Sequence, residues 1–143
     1  MKNVSQLLDH KGRSIWPVKP TTSVFDALRI MADKEIGALV VMEDQRLVGV
    51  LSERDYARKV ILMGRSSKDT TVGEIMTPDV LCAKGDNTVE ECMALMTDKH
   101  IRHLPVIDGE RVIGMLSIGD LVKAIIAEQK FMIEQLEHYI SGG

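Results

Sequence analysis

The sequence has few of the residues that nucleic-acid binding or a membrane span would need. Aromatic residues make up 3% of the 143 residues, which leaves little surface for stacking nucleic-acid bases. The net charge of −3 does not supply the positive field that attracts nucleic acid. No apolar run reaches the roughly 18 residues of a membrane helix, and the first residues lack the order of a signal peptide. We therefore predict neither a nucleic-acid nor a membrane partner.

Cysteine is also scarce, since Cys82 and Cys92 are the only two. They fall at a predicted strand position and on a predicted inward helix face, where a free cysteine acts as a small apolar residue. This favours a reducing, cytoplasmic location. No Cys-x-x-Cys or His-x-x-x-His spacing occurs, so we predict no metal site. A metal or redox protein stays open as an alternative that requires both thiols to be accessible.

The sequence contains one unit twice. Residues 22–61 align without a gap with residues 87–126, at a constant offset of 65. A repeat that covers most of a chain predicts two copies of one structural unit, and each half of about 60 residues is small enough to need the other for burial. We expect the halves to pack about a pseudo-two-fold axis and to form two related clefts.

Hydrophobic periodicity and turn residues predict matching elements in both halves. Helices are predicted at residues 4–10, 23–34, 52–63, 72–76, 88–99 and from 118 to about 139, with Gly37 ending the second. Strands are predicted at residues 38–42, 47–51, 103–107 and 111–116, and extended chain at 16–18 and 80–83. The domain boundaries follow as residues 1–63 for the first half, 64–77 for a linker, 78–127 for the second half and 128–143 for a helical extension.

The last helix is predicted to continue beyond the end of the repeat. Met132, Ile133, Leu136 and Ile140 form an apolar stripe there. A stripe that outlasts its own domain is packed back or shared with another chain. We predict a homodimer.

Each half ends in Gly-x-x-Ser-x-x-Asp, at Gly49 to Asp55 and again 65 residues later. A carboxylate at a helix start can accept hydrogen bonds from both ribose hydroxyls, and the neighbouring guanidinium of Arg54 suits a phosphate. The same spacing is also a helix-capping motif. Its duplication inside a matching order of elements favours a functional role.

These features resemble a tandem pair of CBS domains, a Bateman module, over roughly residues 16–127. The resemblance rests on the doubled Gly-x-x-Ser-x-x-Asp, on Leu-Pro-Val-Ile-Asp after Arg102-His103, and on Ile-Met-Thr-Pro before the second half. It implies an α/β (α+β) fold of two β-α-β-β-α motifs with an extended C-terminal helix. It also implies adenosine ligands in the clefts: AMP, ADP, ATP, NAD(H) or S-adenosylmethionine.

The resemblance also implies a set of contact residues for each cleft. The first site is expected to use Thr22, Gly37, Ala38, Ser52, Arg54 and Asp55. The second site, or a shared phosphate contact, is expected to use Asn87, Arg102, His103, Ser117 and Asp120. Because Gly119 stands where the first half has Arg54, we predict that the Asp55 site binds nucleotide more strongly.

The main hypothesis is a non-enzymatic sensor of adenine nucleotide, with AMP first among the ligands and an unknown downstream protein. No nucleophile elbow, phosphate-binding loop or dinucleotide fingerprint is present, so no catalytic residues and no catalytic cofactor are predicted. The alternative is a dimeric interaction module whose nucleotide sites are vestigial.

Overall fold

The computed structural model describes residues 2–142. Its helices are α1 Val4–Lys11, α2 Val24–Lys34, α3 Glu53–Tyr56, α4 Val72–Ile75, α5 Val89–Lys99 and α6 Ile118–Ile140. Its strands are β1 Ala38–Glu43, β2 Arg46–Ser52, β3 Ala83–Lys84, β4 His103–Asp108 and β5 Arg111–Ser117. The predicted class of mixed helix and strand is confirmed.

The sheets repeat each other down to their irregularities. β1 pairs antiparallel with β2, and β4 pairs antiparallel with β5. The register of each pair shifts at the same place, between Val41 and Met42 and between Val106 and Ile107. β3 adds a parallel pairing to β4, and a single parallel bridge from Val18 to Val41 takes its place in the first half.

Two hydrophobic cores lie under the two sheets, and each takes a helix from outside its own repeat. The core of the second half includes Val4, Leu7 and Leu8 of α1, although α1 precedes the first repeat in sequence. The core of the first half includes Val72 and Ile75 of α4, which precedes the second repeat. The halves are therefore fastened to each other by exchanged helices.

The exchanged helices explain the glycine of each Gly-x-x-Ser-x-x-Asp motif. A Cβ added to Gly49 would lie 2.5 Å from Met76 Sδ and 3.1 Å from the Thr77 carbonyl oxygen. A Cβ added to Gly114 would lie 2.8 Å from Leu8 Cδ2. The distances to Met76 Sδ and Leu8 Cδ2 are too short for a real Cβ, so each glycine lets the exchanged segment approach the strand.

Two local predictions are wrong. Helix α2 ends at Lys34, and the residue that terminates it is Glu35 rather than Gly37. Glu35 has a left-handed backbone, with φ of 54°, and its N–H donates to the carbonyls of Met31 and Ala32. The helix predicted over residues 52–63 is α3 followed by a π-helical stretch, Ala57–Ile61. Such a wider turn is common where a helix carries a functional group.

Helix α6 confirms the predicted long C-terminal helix. Only Leu121 and Ala124 of this helix are buried. The residues of the apolar stripe are all exposed, from 55% for Ile133 to 81% for Ile140. Among residues 2–142, no helix combines the length and hydropathy that a membrane crossing requires.

Candidate functional site

The first cleft, called the Asp55 cleft, lies between the start of α3 and the second half. Its volume is about 270 Å³, just below the roughly 300–1,000 Å³ of most small-molecule sites. The residues that line it come from both halves: Val50, Ser52, Arg54, Asp55, Arg58, Thr77, Asp79, Val80, Leu81, His100, Ile101, Arg102 and His103.

Asp55 is held in place by a reciprocal capping box. Its Oδ2 accepts hydrogen bonds from the Ser52 backbone N–H at 2.9 Å and from Ser52 Oγ at 3.0 Å. Its Oδ1 accepts from Thr77 Oγ1 at 3.3 Å and lies 3.3 Å from Lys59 Nζ. Lys59 approaches from the helix and does not line the cleft. The carboxylate is thus oriented at the mouth of a helix start, as the sequence predicts.

The Asp55 cleft holds an excess of positive charge that has no internal partner. Arg54, Arg58 and Arg102 line it, against the carboxylates of Asp55 and Asp79. Within residues 2–142, none of the three guanidinium groups makes a salt bridge. Uncommitted arginines beside a helix start favour an anionic ligand, because a guanidinium binds phosphate oxygens in pairs.

The second cleft, called the Asp120 cleft, has the same volume of about 270 Å³ and a different chemistry. The residues that line it are Lys11, Ser14, Ile15, Trp16, Glu35, Ile36, Gly37, Ala38, Leu39, Val40, His103, Met115, Ser117 and Asp120. No arginine is among them. Lys11 is the one lysine in this lining, which also includes the carboxylates of Glu35 and Asp120.

That single lysine is already paired. Lys11 Nζ lies 2.6 Å from Asp120 Oδ2 and also donates to the Met115 carbonyl oxygen. The Ser117 backbone N–H donates to the same Oδ2 at 2.8 Å. Burial opposes ionisation of Asp120, but the hydrogen bonds from Lys11 and Ser117 and the nearby ammonium outweigh it and hold its pKa below the ordinary 3.8.

His103 lines both clefts. Its Nε2 lies 3.2 Å from the position that a Cβ on Gly37 would take, so the absence of a side chain there makes room for the imidazole. Burial, then the positive charges of Lys11 and Arg102, lower the pKa of His103 below 6.5 against the opposing effect of Asp120. His103 is therefore neutral at neutral pH.

The structure brings together part of the predicted site and separates the rest. Ser52, Arg54 and Asp55 share one cleft with Arg102 and His103, and Ser117 and Asp120 share the other. The binding roles of these residues stay predictions.

Gly37 and Ala38 were assigned to the first site but line the Asp120 cleft. The pseudo-two-fold arrangement places each half's pre-strand residues against the other half's aspartate, and the binding roles of Gly37 and Ala38 stay predictions. Thr22 and Asn87 line neither cleft. They close turns instead, since Thr22 Oγ1 accepts from the Lys19 N–H at 3.2 Å and Asn87 Oδ1 from the Lys84 N–H at 2.8 Å.

Sequence reasoning missed the residues that each cleft takes from the segment before a half's strands. Residues 77 and 79–81 line the Asp55 cleft, and residues 11 and 14–16 line the Asp120 cleft. The offset of 65 aligns residues 77–81 with residues 12–16, so the repeat could have predicted that these two segments have equivalent positions. Arg58 could also have been predicted to share the cleft, because it lies one helical turn after Arg54.

The cysteines lie away from both clefts. Cys92 is buried in the core of the second half, and burial, followed by the nearby Glu91 charge, raises its pKa to about 11. Cys82 is half-buried, and burial raises its pKa as well. In the described part of the chain, no three or more His, Cys, Asp or Glu side chains are grouped as a metal would need.

Two β-α-β-β-α units with reciprocal clefts and a helix-start aspartate in each define the architecture of a paired CBS domain. The sequence model of the CBS domain family matches residues 11–61 and 72–127. The chain belongs to the CBS domain family and carries two copies of the domain. The resemblance inferred from the motifs is confirmed.

Known proteins show the same relationship along nearly the whole chain. A mitochondrial CBS domain-containing protein, CBSX3 of Arabidopsis thaliana, is 43% identical over 98% of this chain and 72% of its own length. A CBS-domain crystal structure is 52% identical, with a TM-score of 0.84 over 87% of this chain and 98% of that one. A proposed signal-transduction protein with CBS domains from Burkholderia ambifaria is 50% identical, with a TM-score of 0.86 over 90% and 96%.

Proposed function

We propose that this protein is a non-enzymatic regulatory module that binds an adenine nucleotide, AMP first, in the Asp55 cleft. The observation that carries the proposal is the set of three unpaired guanidinium groups, those of Arg54, Arg58 and Arg102, around an oriented carboxylate. Membership of the CBS family supports the adenosine part of the ligand, and the arginines support its phosphate. ADP, ATP and NAD(H) carry the same two features and are the next candidates.

Each group in the cleft has a distinct role in this proposal. The Asp55 carboxylate accepts hydrogen bonds from both ribose hydroxyls, and the hydrogen bonds from Ser52 hold it in place. The arginines bind the phosphate. The base lies against the apolar lining, which includes Val80, Leu81 and Ile101. S-adenosylmethionine is disfavoured, because its positive sulfonium would face guanidinium groups.

The regulatory step in this proposal is a change in how the two halves sit against each other. The Asp55 cleft is lined from both halves, so a bound nucleotide contacts both and stabilises the arrangement that fits it. A ligand moves such an equilibrium only by its differential affinity for the two states. The change would then be transmitted to a downstream protein in the compartment that we predict to be the cytoplasm.

A thermal-shift panel tests the proposal directly. The protein is heated alone and with AMP, ADP, ATP, NAD⁺, NADH, adenosine or S-adenosylmethionine at millimolar concentration. A ligand at 100 times its Kd stabilises the fold by about 2.7 kcal/mol, which is a shift of several degrees for a chain of this size. A shift with AMP that is lost in Arg54→Gln/Arg102→Gln supports the proposal. No shift with any phosphate-bearing ligand overturns it.

The exposed C-terminal stripe supports a second candidate function, a homodimeric interaction module. Leu136 and Ile140 are 60% and 81% exposed. Ile126, earlier in α6, is 57% exposed, close to the 56% of its repeat partner Ile61. A large apolar surface of this kind marks an association site. A second copy of the chain is the partner that we propose.

Sedimentation separates the candidates. Leu136→Lys is expected to convert a dimer into a monomer, while the matched control Gln135→Lys, on the neighbouring exposed position, keeps the dimer. Nucleotide binding retained by the Leu136→Lys monomer favours the sensor. A dimer that binds none of the nucleotides in the panel favours the interaction module.

A further inference from the structure

Lys11 is paired with the Asp120 carboxylate, the group to which the proposed function gives the ribose. Its Nζ lies 2.6 Å from Asp120 Oδ2 and also donates to the Met115 carbonyl oxygen, and Lys11 lines the cleft itself. Asp55 also has an ammonium neighbour, Lys59 Nζ at 3.3 Å, but Lys59 does not line the Asp55 cleft. The contact that Asp55 receives from the cleft lining is the Thr77 hydroxyl, at 3.3 Å.

The backbone that carries Lys11 is firmly attached. Helix α1 begins with a capping box between Asn3 and Gln6, and the Val4 N–H donates to the Asn87 carbonyl oxygen at 2.8 Å. Leu8, one turn before Lys11, is fully buried in the space that Gly114 leaves open. The end of α1 therefore holds the Lys11 backbone near Asp120. Only the Lys11 side chain can move away from the carboxylate.

No other positive group in the Asp120 cleft could bind a phosphate if Lys11 stayed in place. Besides Lys11 and Asp120, the charged lining residue is Glu35, and His103 is neutral at neutral pH because burial lowers its pKa. The cleft has apolar surface for a base, including Trp16, Ile36 and Leu39. Its chemistry therefore suits a nucleoside better than a nucleotide.

We propose that Lys11 is an internal competitor for Asp120, so that the Asp120 cleft accepts an uncharged nucleoside, and only when the lysine side chain is displaced. This inference rests on the proposed function, because the ribose-binding role of the aspartates is taken from it. Lys11 is then the residue that makes the two clefts non-equivalent. Phosphate-bearing ligands go to the Asp55 cleft, and the Asp120 cleft stays closed to them.

The test isolates the Asp120 cleft by disabling the other one. Adenosine and AMP are titrated by calorimetry into Asp55→Ala and into Asp55→Ala/Lys11→Met. Because a ligand no longer displaces a charge-assisted bond, the double variant should bind adenosine about tenfold or more tightly than Asp55→Ala does. AMP should gain less. Lys11→Arg should give no gain, since it keeps the competing charge.

Two controls keep the result interpretable. Lys84→Met removes an exposed lysine that lines neither cleft and should leave adenosine binding unchanged. Adding Asp120→Asn to the Lys11→Met double variant should abolish the gain, which shows that the new binding is at Asp120. Circular dichroism and the melting temperature confirm that each variant is folded.

The outcomes separate this inference from the proposed function. If the wild-type chain binds AMP but Lys11→Met brings no gain for adenosine, or weakens binding, the inference is wrong and the function stands. If the wild-type chain binds no nucleotide and the double variant gains adenosine binding, the nucleotide function is wrong and the inference stands. If no variant binds either ligand, both are wrong.

Discussion

The two clefts carry the same motif at the same offset and have the same volume, yet their charged groups differ in one decisive respect. Three guanidinium groups in the Asp55 cleft have no carboxylate partner, while the one lysine in the Asp120 cleft is bound to the aspartate itself. The motif positions the carboxylate in both. What each carboxylate can bind depends on residues that the other half contributes.

The origin of the difference lies outside the aligned repeat. Helix α1 has 8 residues and α4 has 4, although both are exchanged helices that begin with a capping box. At the offset of 65, residues 72–75 of α4 match residues 7–10 of α1, so Lys11 takes the place that Met76 has in the first half. Met76 lies against Gly49, whereas Lys11 brings an ammonium group into the lining of the Asp120 cleft.

The largest expected effect concerns the attachment of α1. Leu8→Ala removes a fully buried side chain and should lower the free energy of unfolding by about 2–5 kcal/mol. Met76→Ala, at the half-buried residue that lies against Gly49 as Leu8 lies against Gly114, should cost less. Urea unfolding measures both. A loss in Leu8→Ala no larger than in Met76→Ala would contradict the description of α1 as the more firmly held helix.

The motif glycines provide the next test. Gly49→Ala and Gly114→Ala should each destabilise the fold by about 1–3 kcal/mol, because the new methyl group overlaps Met76 or Leu8. Gly119→Ala is the control, since its nearest neighbour, Ser117 Oγ, would be 3.6 Å away. As a helical Gly-to-Ala change it should stabilise by up to about 1 kcal/mol. Equal effects at all three glycines would show that close approach is not their function.

These glycines also show how far sequence reasoning reaches. The repeat and its periodicity predict most elements, the hairpins and the position of both aspartates, because those depend on local pattern. A glycine at a fixed place predicts that something comes close. It does not identify Leu8, which lies 106 residues earlier in the chain and reaches Gly114 only through the exchange of helices.

The same limit applies to the site. Ser52, Arg54 and Asp55 are adjacent in sequence and could be predicted together. Gly37 and Ala38 were grouped with Asp55 but line the Asp120 cleft, because residues that face each other across a pseudo-axis belong to different halves. The Lys11–Asp120 pair spans 109 residues, and no local pattern marks Lys11. Its identification required the packing of α1 on the second core.

A smaller effect is expected from the pH dependence of the Lys11–Asp120 pair. The pKa of Asp120 lies below its ordinary 3.8 in the folded chain, so its ionised form stabilises the fold above that value. This contribution is lost as the pH falls through the lowered pKa. Lys11→Met should therefore be less stable than wild type by under about 1 kcal/mol near pH 6, given partial exposure.

Thermal melts of both proteins over the acid range check this. The difference in melting temperature should shrink as the pH falls below 3.8. A difference that stays constant to the lowest pH would mean that Lys11 acts through packing and not through its pairing with Asp120.

The smallest effect expected concerns His103, which both clefts share. Because its pKa is lowered, it is neutral at neutral pH, and a bound phosphate would raise that pKa. AMP affinity of wild type relative to His103→Gln should then grow roughly two- to threefold from about pH 7.5 to about pH 5.5. The ratio cancels the titration of AMP itself, and a ratio independent of pH would remove His103 from the phosphate site.

The central claim is that the two aspartates have different ligands, and one calorimetric titration of AMP tests it most directly. The wild-type chain, Asp55→Asn and Asp120→Asn are compared, since asparagine keeps the shape of each cap. We expect one AMP per chain, about a hundredfold weaker binding in Asp55→Asn and unchanged binding in Asp120→Asn. Two AMP per chain, or equal losses in the two variants, would contradict it.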